Sequence, residues 1–318
     1  MNIVFLDSYT LNPGDLIWDE LNNFGTFVHY PDTPPELVIK RAQEADVIIT
    51  NKVKLNNEHF QQLNKLKLIL VAATGYDVID TIAARQHDIT VCNCAGYSSK
   101  AVAQMVFAQL LEVTNRVGHY ARLNHDEKDW AKQSYFSYWN TSLTELSEKH
   151  IAIVGFGNIG KEVARIATAF YMKVSAVTSK SADVLPDYVS KITLEEAIQQ
   201  CDVLSLCCPL TPNNREFLNA ELLAKAHPRI IIINTARGGL IDEQAMAMAL
   251  QEERIRAFCA DVLSTEPPSP DNPLLGAKNA FITPHIAWAT REARQRIVGI
   301  LLNNLQSFLN GNPQNVVN

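Results

Sequence analysis

Short apolar runs alternate with amphipathic segments along the first hundred residues of the chain. The segments at residues 12–23 and 35–45 are predicted to be helical. Four runs rich in valine, isoleucine and leucine have the character of buried strands, at residues 2–6, 47–50, 68–72 and 89–92. Because alternation of this kind is typical of parallel β/α units, this part of the chain predicts an α/β fold with a parallel sheet.

A longer helix is predicted next, at residues 99–117. Apolar side chains recur there at helical spacing, at Val102, Val106, Leu110, Val113 and Val117. Residues 119–147 are richer in aromatic side chains and have no clear periodicity. We expect this stretch to form an arm or a loop.

A second series of strands and helices begins at His150. Its apolar runs read IAIV, KVSAV, DVLSLCC, RIIIIN, IRAFCADV and AFITPHI, and the series ends in a helix with one apolar face, predicted at Arg291–Leu309. The pattern predicts two doubly wound domains. In such domains ligands bind beyond the carboxyl ends of the strands, so candidate site residues are sought there.

The composition narrows the class of protein. The chain has 318 residues, 47% hydrophobic and 19% charged, which suits two globular domains and excludes disorder and fibrous repeats. A net charge of −6 without a polybasic tract argues against nucleic acid as a partner. The N-terminus lacks the features of a secretory signal, and no apolar run reaches the roughly 18 residues of a membrane helix, so no membrane association is expected.

The cysteines indicate a reducing compartment. Their spacings match neither a zinc ribbon nor a redox C-x-x-C, so we predict no metal site and interpret them as reduced, mostly buried thiols. A cytoplasmic location follows from this interpretation. The six are Cys92, Cys94, Cys201, Cys207, Cys208 and Cys259.

A glycine-rich turn follows the first strand of the second series. Gly155, Gly157 and Gly160 form G-x-G-x-x-G directly after the apolar run 151–154 and directly before a helix predicted at 158–170. In this context the first glycine allows a tight turn, the second lets a pyrophosphate approach the backbone, and the third lets helix and strand pack closely. Because the helix N-terminus then faces the diphosphate, we predict a dinucleotide site.

The position that would select between NAD and NADP has no acidic residue. An Asp or Glu that binds the ribose is expected about 20 residues after the turn, at the end of the next strand. That strand, 174–177, ends in Thr178, Ser179 and Lys180. Hydroxyl groups and a lysine suit the 2′-phosphate of NADP, whereas a solvated lysine leaves NAD equally acceptable. The sequence leaves the cofactor as NAD or NADP.

Arg237 is the first catalytic candidate. It lies in NTARGGLID, just after the strand-like run 230–234, and is therefore expected at the carboxyl edge of the sheet. A guanidinium offers a planar fork to a carboxylate and polarises an adjacent carbonyl, and a 2-keto acid presents both groups. The alternative is a surface arginine in a glycine-rich turn.

Glu266 and His285 follow the next two strands of the series. Glu266 lies in a proline-rich loop and His285 lies in ITPHIAWAT. A carboxylate near an imidazole favours the protonated ring and fixes its orientation. Such a histidine donates a proton to a carbonyl oxygen as hydride reaches the carbon, and removes the hydroxyl proton in the reverse direction. Each residue alone has an ordinary structural explanation, but their combination with the glycine turn and Arg237 favours catalysis.

The order of these motifs closely resembles that of the D-isomer-specific 2-hydroxyacid dehydrogenases. Matching stretches are ATGYDVID, YSSKAVAQMVFAQLL, LSLCCPLTP, NTARGGLID, ADVLSTEPP and TPHIAW. The resemblance implies a flavodoxin-like substrate domain of residues 1–98 and 289–318, with a Rossmann NAD(P)-binding domain of residues 99–288 inserted between them. It also implies a homodimer and a catalytic set of Arg237, Glu266 and His285.

The resemblance further implies a set of ligand contacts. The backbone of Gly75 and Tyr76 is expected to hold the substrate carboxylate together with Arg237 and His285. Val102 is expected near the nicotinamide ring, Asp261 at its carboxamide and Pro209 beside the adenine. The positions expected along the pyrophosphate, and the remaining cofactor contacts, are Phe156, Gly157, Asn158, Ile159, Cys208, Thr235, Ala236 and Ala287.

Two features suggest a branch of the family. Gln104 stands where many relatives carry Glu, and the aromatic run 135–139 followed by Asn140 is similar to the glycerate dehydrogenase, or hydroxypyruvate reductase, branch. The resemblance implies reversible, NAD(P)H-dependent reduction of hydroxypyruvate or glyoxylate to D-glycerate or glycolate. Reduction of another keto acid such as pyruvate, and a dinucleotide-sensing role like that of related corepressors, remain alternatives.

Overall fold

The chain folds into two compact units, and the computed structural model describes all of residues 1–318. The first unit contains Met1–Ser98 and Trp288–Asn318, and the second contains Ser99–Ala287. Trp288, assigned from sequence to the nucleotide-binding segment, belongs instead to the first unit. Its ring packs edge-on against Tyr97, with 6.3 Å between the ring centroids.

The first unit is built on a five-stranded parallel sheet in the order β2-β1-β3-β4-β5. This is the flavodoxin-like order. Strands β3 and β4 are buried along their whole length, as expected for strands covered on both faces. The elements are β1 (Asn2–Phe5), β2 (Thr26–His29), α1 (Val38–Ala42), β3 (Val47–Thr50), α2 (Asn57–Phe60), β4 (Leu68–Val71), α3 (Thr81–Gln86) and β5 (Thr90–Cys92).

The prediction of a helix at residues 12–23 is wrong. The side chain of Asn12 accepts hydrogen bonds from the amides of Gly14 and Leu16, which closes a turn around Pro13 instead of a helix. Only a 3₁₀ helix forms in this segment, at Asp19–Phe24. Strand β2 was not predicted, because it pairs only with β1 at the sheet edge and is mostly exposed, so it lacks an apolar run.

The second unit is built on a seven-stranded parallel sheet. Its order is β12-β11-β10-β9-β6-β7-β8, so the strand order reverses between β6 and β9, with later strands added on the other side of β6, and this is the position at which Rossmann folds bind dinucleotides. The elements are α4 (Ser99–Asn115), α5 (Val117–Arg122), β6 (His150–Val154), α6 (Asn158–Ala169), β7 (Lys173–Val177), β8 (Val189–Lys191), α7 (Leu194–Gln200), β9 (Val203–Leu206), α8 (Ala220–Leu223), β10 (Ile231–Asn234), α9 (Glu243–Gln251), β11 (Ala257–Ala260) and β12 (Ala280–Ile282).

The predicted helix of residues 99–117 is interrupted before its end. Helix α4 stops at Asn115, because Arg116 adopts a left-handed backbone with φ of +57°, and α5 begins a new helix at Val117. Residues 119–147 contain the rest of α5 and short turns of π and 3₁₀ helix, and otherwise no regular structure.

Helix α10 (Arg291–Leu309) completes the first unit with the boundaries predicted from sequence. Arg294 on this helix is buried and makes two hydrogen bonds of 2.6 Å to the carboxylate of Asp15. These bonds lower the pKa of Asp15 below its usual value. The C-terminal tail adds a hydrogen bond from the Val317 amide to the Val91 carbonyl oxygen. None of the helices combines the length and apolar character needed to span a membrane.

All six cysteines are free thiols, as predicted. Four are fully buried and two are half-buried. Burial raises the pKa of Cys92 to about 11 and that of Cys201 to about 12, so both thiols stay protonated and unreactive at neutral pH.

Candidate active site

The glycine-rich turn lies between β6 and α6. Gly155 has φ of +93°, and a Cβ placed there would lie 2.7 Å from the backbone nitrogen of Cys208. A Cβ on Gly160 would lie 2.3 Å from the carbonyl oxygen of Gly155, so both residues must be glycine for packing reasons. Gly157 is different, because a Cβ there would meet nothing within 4 Å. The open space above it suits a bound diphosphate.

The residues beside Gly157 separate into buried side chains and accessible backbone. The side chain of Phe156 is 3% exposed and packs in the core of the second unit, where Ile159 also packs. Gly157 and Asn158, at the start of α6, are exposed. Helix α6 therefore presents its N-terminal amides and partial positive charge beside the open space.

Three residues predicted to contact the adenosine ribose follow β7. The Lys180 ammonium donates a hydrogen bond of 2.9 Å to the carbonyl oxygen of Phe156, which holds this lysine over the glycine turn. Lys191 approaches from the end of β8 and donates a bond of 2.6 Å to the Lys180 carbonyl oxygen. Thr178 accepts a hydrogen bond from the Lys180 amide, and Ser179 is exposed. Lys191 was missed in the sequence analysis, because β8 had not been recognised as the neighbouring strand.

Other predicted cofactor positions lie at the carboxyl edge of the same sheet. Thr235, directly after β10, has a buried hydroxyl with no hydrogen-bond partner. An unpaired buried hydroxyl at this edge fits a site that a polar ligand completes. The remaining predicted contacts are Val102 and Ala287, which are buried, Cys208 and Ala236, which are half-buried, and Pro209, which is exposed.

The conformation of the Arg237 turn is set by Asn234. Asn234 is the fully buried last residue of β10, and its side chain accepts a bond from the Ala236 amide and donates one to the Arg237 carbonyl oxygen. The Arg237 guanidinium is exposed and donates to the Ala236 carbonyl oxygen at 2.7 Å. This leaves most of its donors available to an anion.

The Arg237 turn packs against the loop that carries Glu266. A Cβ on Gly238 would lie 1.9 Å from the carbonyl carbon of Leu263, so only glycine permits this approach. The Leu263 amide donates a 3.1 Å hydrogen bond to one carboxylate oxygen of Glu266, which turns that side chain back toward the sheet edge.

The other carboxylate oxygen of Glu266 meets His285. The distance from Glu266 Oε2 to His285 Nδ1 is 2.6 Å, and both side chains are about one-third exposed. The carboxylate therefore fixes the ring through Nδ1 and leaves Nε2 available for a substrate. The resulting pair has the geometry of a carboxylate-oriented general acid and base.

The backbone at His285 is unusual. His285 has φ of +55°, a left-handed conformation that costs a non-glycine residue about 1–3 kcal/mol. Asp261 stabilises this conformation through hydrogen bonds. Its buried carboxylate accepts hydrogen bonds from the amides of Ile286 and Ala287 at 2.9 and 2.7 Å. We predicted Asp261 as a nicotinamide contact, and that role stays a prediction.

Two further polar residues extend this support and were missed in the sequence analysis. Thr283 donates to Asp261 at 2.5 Å, and Gln109 on α4 donates to Thr283 at 3.2 Å. Gln109 is 4% exposed, and its side-chain carbonyl oxygen has no partner. The sequence did contain a signal for Gln109, because it is a polar residue on the apolar face of a predicted helix.

Gly75 and Tyr76 belong to the first unit. They follow β4 at the carboxyl edge of its sheet, in a loop tied to the end of β5 by hydrogen bonds between Thr74 and Cys94 and between Asn93 and Thr74. Gly75 is half-buried and Tyr76 is exposed. Their role in holding a substrate carboxylate stays a prediction.

Comparison with known proteins identifies the family. The family model described as "D-isomer specific 2-hydroxyacid dehydrogenase, NAD binding domain" matches residues 107–287. The chain belongs to this family. The match covers most of the second unit, which is therefore the NAD-binding domain of a D-isomer-specific 2-hydroxyacid dehydrogenase.

Whole-chain relatives support the same membership. A hydroxypyruvate reductase of Blautia hydrogenotrophica is 41% identical, with 100% of both chains covered. A glycerate dehydrogenase of Methylorubrum extorquens is 37% identical, covering 99% of this chain and 98% of that protein. The predicted family and branch are confirmed.

Solved structures confirm the fold class. A Thermus thermophilus protein superposes with a TM-score of 0.86 at 30% identity, and an acyclic imino acid reductase in complex with NADPH and D-arginine superposes with a TM-score of 0.83 at 32% identity. Both alignments cover 100% of each chain.

Replacing Asp261 with Asn should weaken the second unit. An amide cannot accept all three hydrogen bonds that the buried carboxylate receives, so we expect the free energy of unfolding to fall by about 1–3 kcal/mol. Urea unfolding of the Asp261→Asn variant measures this loss. The Asp271→Asn variant, at an exposed position, is the matched control, and equal stability of the two variants would show that Asp261 does not support the loop.

Proposed function

We propose that the protein is an NAD(P)H-dependent D-2-hydroxyacid dehydrogenase that reduces hydroxypyruvate or glyoxylate to D-glycerate or glycolate, reversibly. The hydrogen bond between Glu266 and His285, at the sheet edge that also carries the glycine turn, is the observation that carries this proposal. Similarity to a hydroxypyruvate reductase, a glycerate dehydrogenase and a glyoxylate reductase supports the substrate class.

Each residue has a distinct role in this proposal. Arg237, together with the backbone of Gly75 and Tyr76, binds the substrate carboxylate and polarises the carbonyl. His285 donates a proton from Nε2 to the carbonyl oxygen, and Glu266 holds the ring in place through Nδ1. When bound, the reduced nicotinamide supplies the hydride. In the oxidation direction His285 accepts the hydroxyl proton.

Replacing His285 with Gln should remove turnover and leave cofactor binding intact. Glutamine keeps the polar volume but does not exchange a proton, so we expect kcat to fall by about 10²–10⁴-fold with an unchanged Kd for NADH or NADPH. The measurements are initial rates with hydroxypyruvate and a fluorescence titration of the reduced cofactor.

The matched control is His125→Gln. His125 also pairs with a carboxylate, since its Nδ1 lies 2.7 Å from Asp126, but it is exposed on the segment after α5. The control should turn over at the wild-type rate. If His285→Gln did so too, the acid–base assignment would be wrong.

The substrate class is tested by a panel of keto acids. Initial rates with hydroxypyruvate, glyoxylate, pyruvate and a bulky branched keto acid should rank the first two highest in kcat/KM. A higher kcat/KM for pyruvate would show that the enzyme prefers another keto acid to hydroxypyruvate and glyoxylate. Binding of the dinucleotide without turnover of any substrate would favour the dinucleotide-sensing role.

We further propose that the cofactor site accepts NADPH at least as well as NADH. The support is the pair Lys180 and Lys191 beside Thr178 and Ser179, with no carboxylate at residues 178–182, directly after β7, to repel a 2′-phosphate. One of the similar solved structures contains NADPH, which is consistent with this preference.

Removing the Lys180 ammonium should discriminate between the two cofactors. We expect Lys180→Ala to raise KM for NADPH about tenfold or more and KM for NADH by less than about twofold, because only the phosphate loses a charged partner. The control is Lys173→Ala, which removes an exposed lysine from the opposite end of β7. Equal KM changes for the two cofactors would contradict the proposal.

Homodimerisation and a cytoplasmic location complete the proposal. Three large aromatic side chains on residues 119–147 are 69–90% exposed, namely Tyr135, Phe136 and Trp139. Three exposed aromatic side chains within five residues favour an interface with another chain. Sedimentation of the purified protein measures the mass of the assembly and so tests the homodimer. The proposal of a cytoplasmic location is supported by the free thiols, which are consistent with a reducing compartment.

A further inference from the structure

The amino edge of the seven-stranded sheet carries charged residues just before four adjacent strands. Lys149 precedes β6, Asp202 precedes β9, Arg229 lies two residues before β10, and Arg256 precedes β11. The strands β6, β9, β10 and β11 are neighbours in parallel register. The backbone therefore brings these four side chains to one line at the edge opposite the Glu266–His285 pair.

These residues surround a small cavity. Its volume is about 90 Å³, and besides the four charged residues it is lined by Thr114, Thr144, Leu146, Val203 and Ile231. A single water needs roughly 10–15 Å³ of such space, and sites for organic ligands begin near 300 Å³. The cavity thus has the size for a small ion with a few waters.

The charges around the cavity are not balanced. Lys149 lies 3.5 Å from Asp202, the only carboxylate in the lining, and Asp202 also accepts a hydrogen bond from the His150 amide. Arg229 and Arg256 therefore add two positive charges to an already paired lysine and aspartate. This excess stands against a net charge of −6 for the whole chain.

The excess of positive charge makes the environment of Arg256 electrostatically unfavourable. Its side chain is half-buried, and burial lowers its pKa, with the nearby charges of Arg116 and Arg229 lowering it further and the charge of Asp202 opposing them. Arg116 itself lies over the ring of Phe281, 5.5 Å from the centroid. Asp202 offsets only part of the repulsion between the guanidinium groups, because it is already paired with Lys149, so a further anion would stabilise the cluster.

We propose that this cavity binds a tetrahedral oxyanion, a phosphate group, between Arg229, Arg256 and Lys149. Arginine forks match phosphate oxygens with paired hydrogen bonds, and Thr114 and Thr144 line the same space. The site is separate from the proposed catalytic residues, because it lies at the other end of the strands. Its failure would leave the proposed dehydrogenase activity untouched.

The test compares phosphate with chloride at equal ionic strength. Thermal unfolding is followed with saturating NADPH present, so that the diphosphate site at the start of α6 is already filled. We expect phosphate at about ten times its Kd to raise the unfolding midpoint of the wild type by about 3 °C over chloride. A parallel series with glycerol phosphate distinguishes a phosphate monoester from free phosphate as the tighter ligand.

The variant Arg256→Gln should lose at least half of the phosphate effect. In chloride it should be as stable as the wild type or more stable, because it relieves the repulsion with Arg229. Arg229→Gln should behave in the same way. The matched control is Arg254→Gln, an exposed arginine of the same segment that pairs with Glu252, and it should keep the full effect.

Two results would overturn the proposal. One is a wild-type midpoint that does not distinguish phosphate from chloride. The other is an Arg256→Gln variant that is less stable in chloride yet keeps the full phosphate effect. In that case the arginines would serve to neutralise the carboxyl end of α4, which ends beside Arg116, and would not form a ligand site.

Discussion

The matched parallel strands of the second unit are the constraint on which the site depends. Asn234, Ala260 and Ile282 stand side by side at the ends of β10, β11 and β12. Because all three strands point the same way, the loops that follow them leave the sheet at the same edge. Residues far apart in sequence, Arg237, Glu266 and His285, therefore follow adjacent strands, and the last two come within hydrogen-bond distance.

Buried polar residues convert this coarse arrangement into a defined geometry. Asn234 shapes the Arg237 turn, and Asp261 stabilises the left-handed backbone at His285. Each of them is almost fully buried with its hydrogen bonds made inside the protein. Such satisfied polar groups fix a unique loop conformation, whereas apolar packing alone would allow several. The reactive side chains can stay partly exposed because the buried residues Asn234 and Asp261 hold their loops in place.

Much of this architecture could be predicted from sequence, and the reasons for the failures are specific. Periodicity and the glycine turn were sufficient for the buried strands of both sheets and for the motif order, because buried parallel strands leave apolar runs. The edge strands β2 and β8 were not predicted, since a mostly exposed strand has no such run. The turn at Asn12 was not predicted either, since a turn closed by a side chain resembles an amphipathic segment in sequence. The supports Gln109 and Thr283, and the second lysine Lys191, depend on contacts between distant segments, which no local pattern encodes.

The account rests on Glu266 acting through His285, and a double-mutant cycle tests this most directly. The measurement is kcat/KM for the reduction of hydroxypyruvate, at saturating cofactor, for the wild type, Glu266→Gln, His285→Gln and the variant that carries both changes. Because the carboxylate acts through the ring that it orients, Glu266→Gln should lower kcat/KM in the wild type and have almost no effect once His285 is already Gln. A loss of the same size in both backgrounds would contradict the assignment.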